Sequence, residues 1–219
     1  MSKHHEPNIR FDILSLFPDY FQGPFDVSMM KRARDKGLVE VNLVDLRQFG
    51  LGKSQQVDDR IYGGGSGMVL MAEPVVKAIR SVKKEGSHVI YLSPQGKPLT
   101  AKRCKELARD KKHIVLLCGH YEGVDERATS EVDEEISIGD YILTSGAPAA
   151  SVVVDAISRL IPGVIGNDEA IREESFEDDL LDAPVYTRPP LYEGQEVPEV
   201  LRLGNHAELE AWRKEKAKE

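Results

Sequence analysis

Ser137-Ile138-Gly139-Asp140-Tyr141-Ile142-Leu143-Thr144-Ser145-Gly146 follows the acidic run Glu131–Glu135 and leads into the apolar, helix-spaced segment Ala147–Leu160. A glycine near each end lets the backbone approach a partner closely, because a residue without Cβ reaches conformations closed to others. Between the glycines, polar and apolar residues alternate around one carboxylate, Asp140. The pattern reads as a short strand ending in a loop and then a helix, a common way to hold a small ligand by backbone groups. An ordinary strand–turn–helix junction looks the same, so this stretch alone leaves both readings open.

The neighbouring segments repeat the arrangement. His113–Cys118 is a continuous apolar run, as expected of a strand buried on both faces, followed by the loop Gly119–Gly123. Asp125 is placed to cap a short helix. Ser87–Leu92 is a β run stopped by Ser93-Pro94-Gln95-Gly96, and Thr100–Lys111 is an amphipathic helix through Cys104, Leu107 and Ala108. Toward the N-terminus, Ile9–Leu16 and Leu38–Leu46 alternate as strands around a helix at Phe25–Lys36 that ends at Gly37. Gln48–Gly67 reads as a long polar, glycine-rich loop, and Glu73–Lys84 as a helix with Pro74 in its first turn. Strands alternating with helices predict an α/β fold on a largely parallel sheet. From Gly163 to about Asp182 the chain turns acidic and turn-forming, which predicts a linker. Tyr186–Pro190 and Gly194–Pro198 read as irregular, and Ala207–Lys218 as a closing charged helix around Leu209 and Trp212. The expected domains are thus 1–162, a flexible linker 163–179, and a small helical C-terminal domain 180–219.

At 219 residues, 41 % apolar and 30 % charged, the chain has the make-up of a globular protein with a full core. Its apolar runs are too short to span a bilayer, and Met1–Arg10 lacks the apolar region of a secretory signal. Cys104 and Cys118 form no C-x-x-C pair, so neither a disulfide framework nor a zinc site is indicated. A cytoplasmic protein with no membrane partner is the expectation. The net charge of −8 weighs against a nucleic-acid partner. Lys97–Lys112 nonetheless holds seven basic residues against two acids, as a solvated helix face or a contact surface would.

In an open parallel sheet, ligands bind beyond the carboxyl ends of the strands. Tyr91–Gly96, Gly119–Gly123 and Ser137–Gly146 all fit that position, which suggests one backbone-lined pocket for a small molecule. The familiar signatures fail: the chain has no G-x-x-x-x-G-K-[ST], no G-x-G-x-x-G after its first strand, and no G-x-S-x-G. Gly63–Gly67 is open between a turn and a substrate-contacting loop.

Several long segments, in order along the chain, carry a resemblance. They are Asp58-Asp59-Arg60 with Tyr62-Gly63-Gly64-Gly65, Tyr91-Leu92-Ser93-Pro94-Gln95-Gly96, and Cys118-Gly119-His120-Tyr121-Glu122-Gly123-Val124-Asp125-Glu126-Arg127. Ser137-Ile138-Gly139-Asp140-Tyr141, Ile161-Pro162-Gly163-Val164 and Tyr186-Thr187-Arg188-Pro189 complete the set. Together they closely resemble the bacterial tRNA (guanine-N1)-methyltransferase family of the SPOUT class. The resemblance implies a methyltransferase domain with a deep trefoil knot, a homodimer, and S-adenosyl-L-methionine bound in the knot. It implies methyl transfer to N1 of guanosine 37 in the tRNA anticodon stem-loop.

Residue by residue, the resemblance assigns the cofactor to Gly119, Ile138, Gly139, Asp140, Tyr141, Ile142 and Leu143. Tyr91, Leu92, Ser93, Pro94, Glu122, Ser137 and Gly146 line the same pocket. The family's arginine corresponds to Arg159. Its base, usually an aspartate before Ser-Phe, corresponds to Glu174, with Glu173 and Asp178 as neighbouring carboxylates. Such a reaction needs a carboxylate to take the N1 proton and a cation or donor near O6. Magnesium dependence is compatible with the resemblance, although no acidic cluster identifies a metal site. Departures include Ile61 and Ser66 in place of prolines, His120 in place of a frequent arginine, and Ala147-Pro148-Ala149-Ala150 after the cofactor loop. The helical part also ends soon after Trp212, so a reduced RNA-contacting surface is expected. Ribose 2′-oxygen methylation and a non-catalytic RNA- or nucleotide-binding module are the alternatives.

Overall fold

The computed structural model describes residues 7–65, 67–166 and 182–217. The chain divides into two compact units, Met1–Gly166 and Asn167–Glu219.

The first unit is built on a five-stranded sheet. Its strands are β1 (Ile9–Ser15), β2 (Val39–Asp45), β5 (His88–Pro98), β6 (His113–Cys118) and β7 (Glu134–Ser137), in spatial order β2-β1-β6-β5-β7. All four pairings are parallel. In β6 every residue from Ile114 to Cys118 is buried because both faces of the sheet are covered. On one face lie Met30 and Ala33 of α1 (Ser28–Asp35), Cys104 and Leu107 of α3 (Ala101–Asp110), and Ala150, Val153 and Ile157 of α4 (Ala147–Ser158). The other face is sealed by Val75, Ala78 and Ile79 of α2 (Ala72–Val82), with Leu46, Val57 and Leu70. Local chemistry sets the helix starts: the Thr100 hydroxyl accepts the Arg103 N–H, and Pro148 sits in the first turn of α4, where its missing N–H costs nothing. Val164, just past α4, is still buried in this core.

Three expectations need correction. Ser93–Gly96 does not stop its strand: β5 bulges out there and returns, so that Leu92 and Lys97 both pair with Ile136 of β7. The short strand expected in the Ser137–Gly146 stretch lies earlier, as the edge strand β7, and takes in Glu134 and Glu135 from the end of the acidic run. Its charge is tolerated because Glu134 is held by Arg103 (2.7 Å) and His88 (2.9 Å). Gln48–Gly67 is not all loop. It contains β3 (Asp58–Arg60), which pairs antiparallel with β4 (Met68–Leu70) and makes the glycine stretch a hairpin tip.

In the second unit, β8 (Leu191–Tyr192) and β9 (Gln195–Glu196) form a short hairpin, β9 within Gly194–Pro198, which the sequence read as irregular, followed by α5 (Glu199–Leu203). The last helix, α6 (His206–Lys216), is capped by Asn205, which accepts the Glu208 N–H. The rings of Tyr186 and Trp212 meet at 6.4 Å. Most of the expected linker lies outside the described residues.

Candidate active site

The bulge within β5 and the loops that follow β6 and β7 converge on one cleft of about 750 Å³ at the carboxyl edge of the sheet. Tyr91, Leu92, Ser93 and Pro94 reach it from β5, and Gly119 and Glu122 from the loop after β6. Ser137, Ile138, Gly139, Tyr141, Ile142, Leu143 and Gly146 complete the lining from the β7–α4 connection. Of the residues assigned to the cofactor from the sequence, Asp140 alone stands outside the lining, exposed to solvent.

Backbone groups tie the loops to each other. The Gly146 N–H donates to Gly119 O at 2.8 Å, and His120 bridges Ser145. The Ser137 hydroxyl closes a small turn by accepting the Gly139 N–H (3.2 Å) and donating to Gly139 O (3.1 Å). Gly139 has φ +151°, and a Cβ there would lie 2.4 Å from the Tyr141 ring, so only glycine fits. A Cβ on Gly119 would press on the Tyr91 ring at 3.1 Å.

The lining also carries Glu122, Glu126, Asp133, Glu134 and Glu135, so its charged groups are mainly carboxylates. Such a site favours a cationic ligand. The size, the exposed backbone and this acidity fit S-adenosyl-L-methionine, which bears a sulfonium and an ammonium group. Burial opposes ionisation of Glu134, but its bonds from Arg103 and His88 prevail and hold it below the usual carboxylate range. Burial, reinforced by Glu135, pushes the Tyr91 phenol up to about 12.

His120 and Tyr121, within the loop Gly119–Gly123 that the sequence places at the pocket, line the cleft, and so do Glu126 and Ala149, which the sequence reading did not assign there. The signal for Glu126 was adjacency to that loop, and for Ala149 the first turn of the following helix. The His120 ring packs between Phe17 (5.2 Å) and Tyr121 (4.3 Å), and its Nδ1 is buried without a hydrogen-bond partner among the described residues. Burial and then the Arg47 charge lower its pKa, which keeps the imidazole neutral near pH 7. Arg47 itself stacks on Phe17 at 4.8 Å. The glycine hairpin docks here too: Glu122 N–H donates to Met68 O (3.1 Å) and Leu70 N–H to Gly123 O (3.0 Å).

Arg159 does not join the cleft. It caps the C-terminal end of α4, whereas the cleft receives the other end, through Gly146 and Ala149. At 1.5 Å per residue that separation is about 20 Å. Glu174, with Glu173 and Asp178, lies outside the described residues. Among the described residues no cluster of His, Cys, Asp or Glu could hold a metal ion, and no helix is long and apolar enough to cross a membrane.

Residues 9–219 match the model of the family described as tRNA (Guanine-1)-methyltransferase TrmD. A tRNA (guanine-N(1)-)-methyltransferase of Protochlamydia amoebophila is 58% identical over 207 residues, covering 94% of this chain and 93% of that protein. The protein of the same name from Chlamydia pneumoniae is 59% identical over 210 residues, covering 95% of this chain and 58% of its own. For the one from Chlamydia trachomatis serovar D the values are 58% over 208 residues, 94% and 58%. The chain therefore spans nearly all of the first relative and 58% of the length of the other two. On the family match and these identities, the chain belongs to the tRNA (guanine-1)-methyltransferase family.

Proposed function

We propose that this chain transfers the methyl group of S-adenosyl-L-methionine to N1 of guanosine 37, beside the anticodon of a tRNA, and does so as a cytoplasmic homodimer. The observation that carries this reading is the acidic, backbone-lined cleft in a member of this family. When bound, the cofactor supplies an electrophilic methyl group on sulfur. Glu122 and the loop backbone from Ile138 to Leu143 orient it, and Tyr91 closes one wall. Glu174 takes the proton from guanine N1, a task that requires an ionised carboxylate within hydrogen-bond reach. Its extra methylene relative to aspartate lengthens that reach. The Arg159 guanidinium stabilises the negative charge that develops toward O6.

The homodimer is supported by two features. Arg159 is too far from the cleft of its own chain to act there, so a second copy must bring the two together. Tyr141, Ile142 and Leu143 of the cleft lining and Val152 of α4 are exposed, giving apolar surface for that contact. The deep trefoil knot is supported by the return of β5 onto Ile136 and by the Gly146–Gly119 bond, which draw both loops tightly across neighbouring strands. The 163–179 linker and the 180–219 tRNA-binding domain complete the proposal. Magnesium plays no assigned part in it.

The test is transfer of labelled methyl to an unmodified tRNA transcript carrying guanine at position 37, beside a matched adenine-37 transcript. Label should enter the first alone. Glu174→Gln and Arg159→Ala should each lower kcat by about 10²–10⁴-fold while cofactor affinity stays within about twofold. Label on both transcripts would move the reaction to another atom, and full activity in either variant would remove that residue's role.

A further inference from the structure

We propose that the solvent face of α3, extended by Lys97 before it and Lys112 after it, is a docking track for the phosphate backbone of the RNA substrate. This rests on the reading of the chain as a tRNA methyltransferase. The helix divides cleanly: Cys104 and Leu107 are buried in the sheet core, while Lys102, Lys105 and Arg109 are exposed on the opposite side. Their spacing of three and four residues places the three cations in one row. The row is about 10 Å long, and Lys97 and Lys112 extend it at its two ends.

The track begins at the cleft. Lys97 pairs with Ile136, and Ile136 lines the cavity, as do Pro94 and Gln95 just before Lys97. A strand whose target base enters the cleft would thus meet Lys97 first and the helix next. The surrounding charge makes this surface stand out: a segment with seven basic residues and two acids sits in a chain of net charge −8. Internal pairing accounts for only part of it. Arg103 is held by Glu106 and Glu134, and Arg109 by Asp110 at 2.7 Å, so the charge of this face rests on Lys97, Lys102 and Lys112.

The placement of Lys102 is the second observation. It lies in the first turn of α3, which contains no acidic residue. A cation there faces the positive end of the helix dipole, an arrangement that disfavours the free helix. A polyanion seated on the same turn reverses the sign of both interactions. The first turn of a folded helix is also where orphan N–H groups favour an anion.

The experiment compares the intact protein with the double variant Lys102→Glu/Lys112→Glu and with Lys36→Glu/Lys84→Glu, which makes the same charge change on exposed residues elsewhere. Binding of unmodified tRNA is measured between about 50 and 200 mM salt, the range over which phosphate contacts dominate. The α3 variant should bind about tenfold more weakly at the upper salt, with a salt slope smaller by about 1–2, and cofactor affinity unchanged. The control pair should stay within about twofold. Equal losses in both variants, or none in the α3 variant, would overturn the track. Should reversal lower thermal stability, Lys102→Gln/Lys112→Gln separates charge from folding: it must still lower the slope. If the unaltered protein neither binds nor methylates tRNA, the RNA reading itself falls. If it does both and the α3 variant matches it, only the track falls.

Discussion

The two ends of the same parallel strands are finished in opposite ways. At the carboxyl edge, the β5 bulge and the loops after β6 and β7 meet through backbone groups and glycines and leave a cleft. At the amino edge, side chains close the sheet. Asp12 of β1 is fully buried and receives Arg10 (3.0 Å), Asn42 (2.9 Å) and His113 Nε2 (2.7 Å). His113 Nδ1 in turn meets the Ser87 hydroxyl at 2.7 Å, which also accepts the Lys84 N–H. Asp12, His113 and Ser87 thus form one continuous chain of contacts. An edge that must admit a ligand keeps its backbone groups available. The polar side chains around Asp12 bond to one another instead.

The largest expected effect is on the open edge. A Cβ at Gly96 would lie 2.4 Å from Ile136 N, against backbone that cannot swing aside. Gly96→Ala should therefore cost about 3 kcal/mol or more in denaturant unfolding, the upper part of the overpacking range. Because the strain falls on the bulge that carries Ser93 and Pro94, cofactor affinity should drop by about a hundredfold at a temperature where the variant is folded. Native affinity in a destabilised Gly96→Ala would break the link between this bulge and the cleft.

The next effect belongs to the closed edge and should spare the cleft. Burial opposes ionisation of Asp12, yet the hydrogen bonds from His113, Arg10 and Asn42 outweigh it and bring its pKa down to about 2. A depressed carboxylate stabilises the fold above its unfolded pKa near 4, and this contribution, about 2 kcal/mol, is lost as pH falls from about 4 toward about 2. Asp12→Asn should remove about that much stability at neutral pH and flatten the acid limb of the unfolding curve. Methyl transfer measured well below the melting point should be unchanged. A loss of cofactor binding as large as that of Gly96→Ala would erase the distinction between the edges.

The open edge was the more legible of the two. His113–Cys118 as a strand buried on both faces, and three glycine-bearing loops after β runs, follow from local pattern. Chain-local chemistry builds them, and pattern reads local chemistry well. Glu134 and Glu135 escaped because a charge run looks solvated until Arg103, thirty-one residues earlier, is folded against it. The bulge at Ser93–Gly96 looked like a stop because turn residues are the same whether a strand ends or merely detours. The closed edge was not legible: Asp12 and His113 are 101 residues apart, and nothing in the alternation of Ile9, Phe11 and Ile13 marks Asp12 as buried. The distance between Arg159 and the cleft is likewise a property of which end of α4 faces the loops.

The smallest effect tests whether the closed edge acts as a chain of bonds or as one bond with neighbours. Ser87 is its outermost member and only partly buried. Replacing it with alanine removes the partner of His113 Nδ1 and the acceptor for Lys84 N–H, two hydrogen bonds near water. Each such bond is worth about 1 kcal/mol or less where solvent can substitute. Ser87→Ala should therefore cost about 1 kcal/mol alone. If the network is cooperative, its cost in an Asp12→Asn background should shrink, because His113 no longer has a carboxylate to fix its tautomer. Strict additivity in the double-mutant cycle would mean that Asp12 holds the amino edge by itself and that Ser87 only finishes a turn.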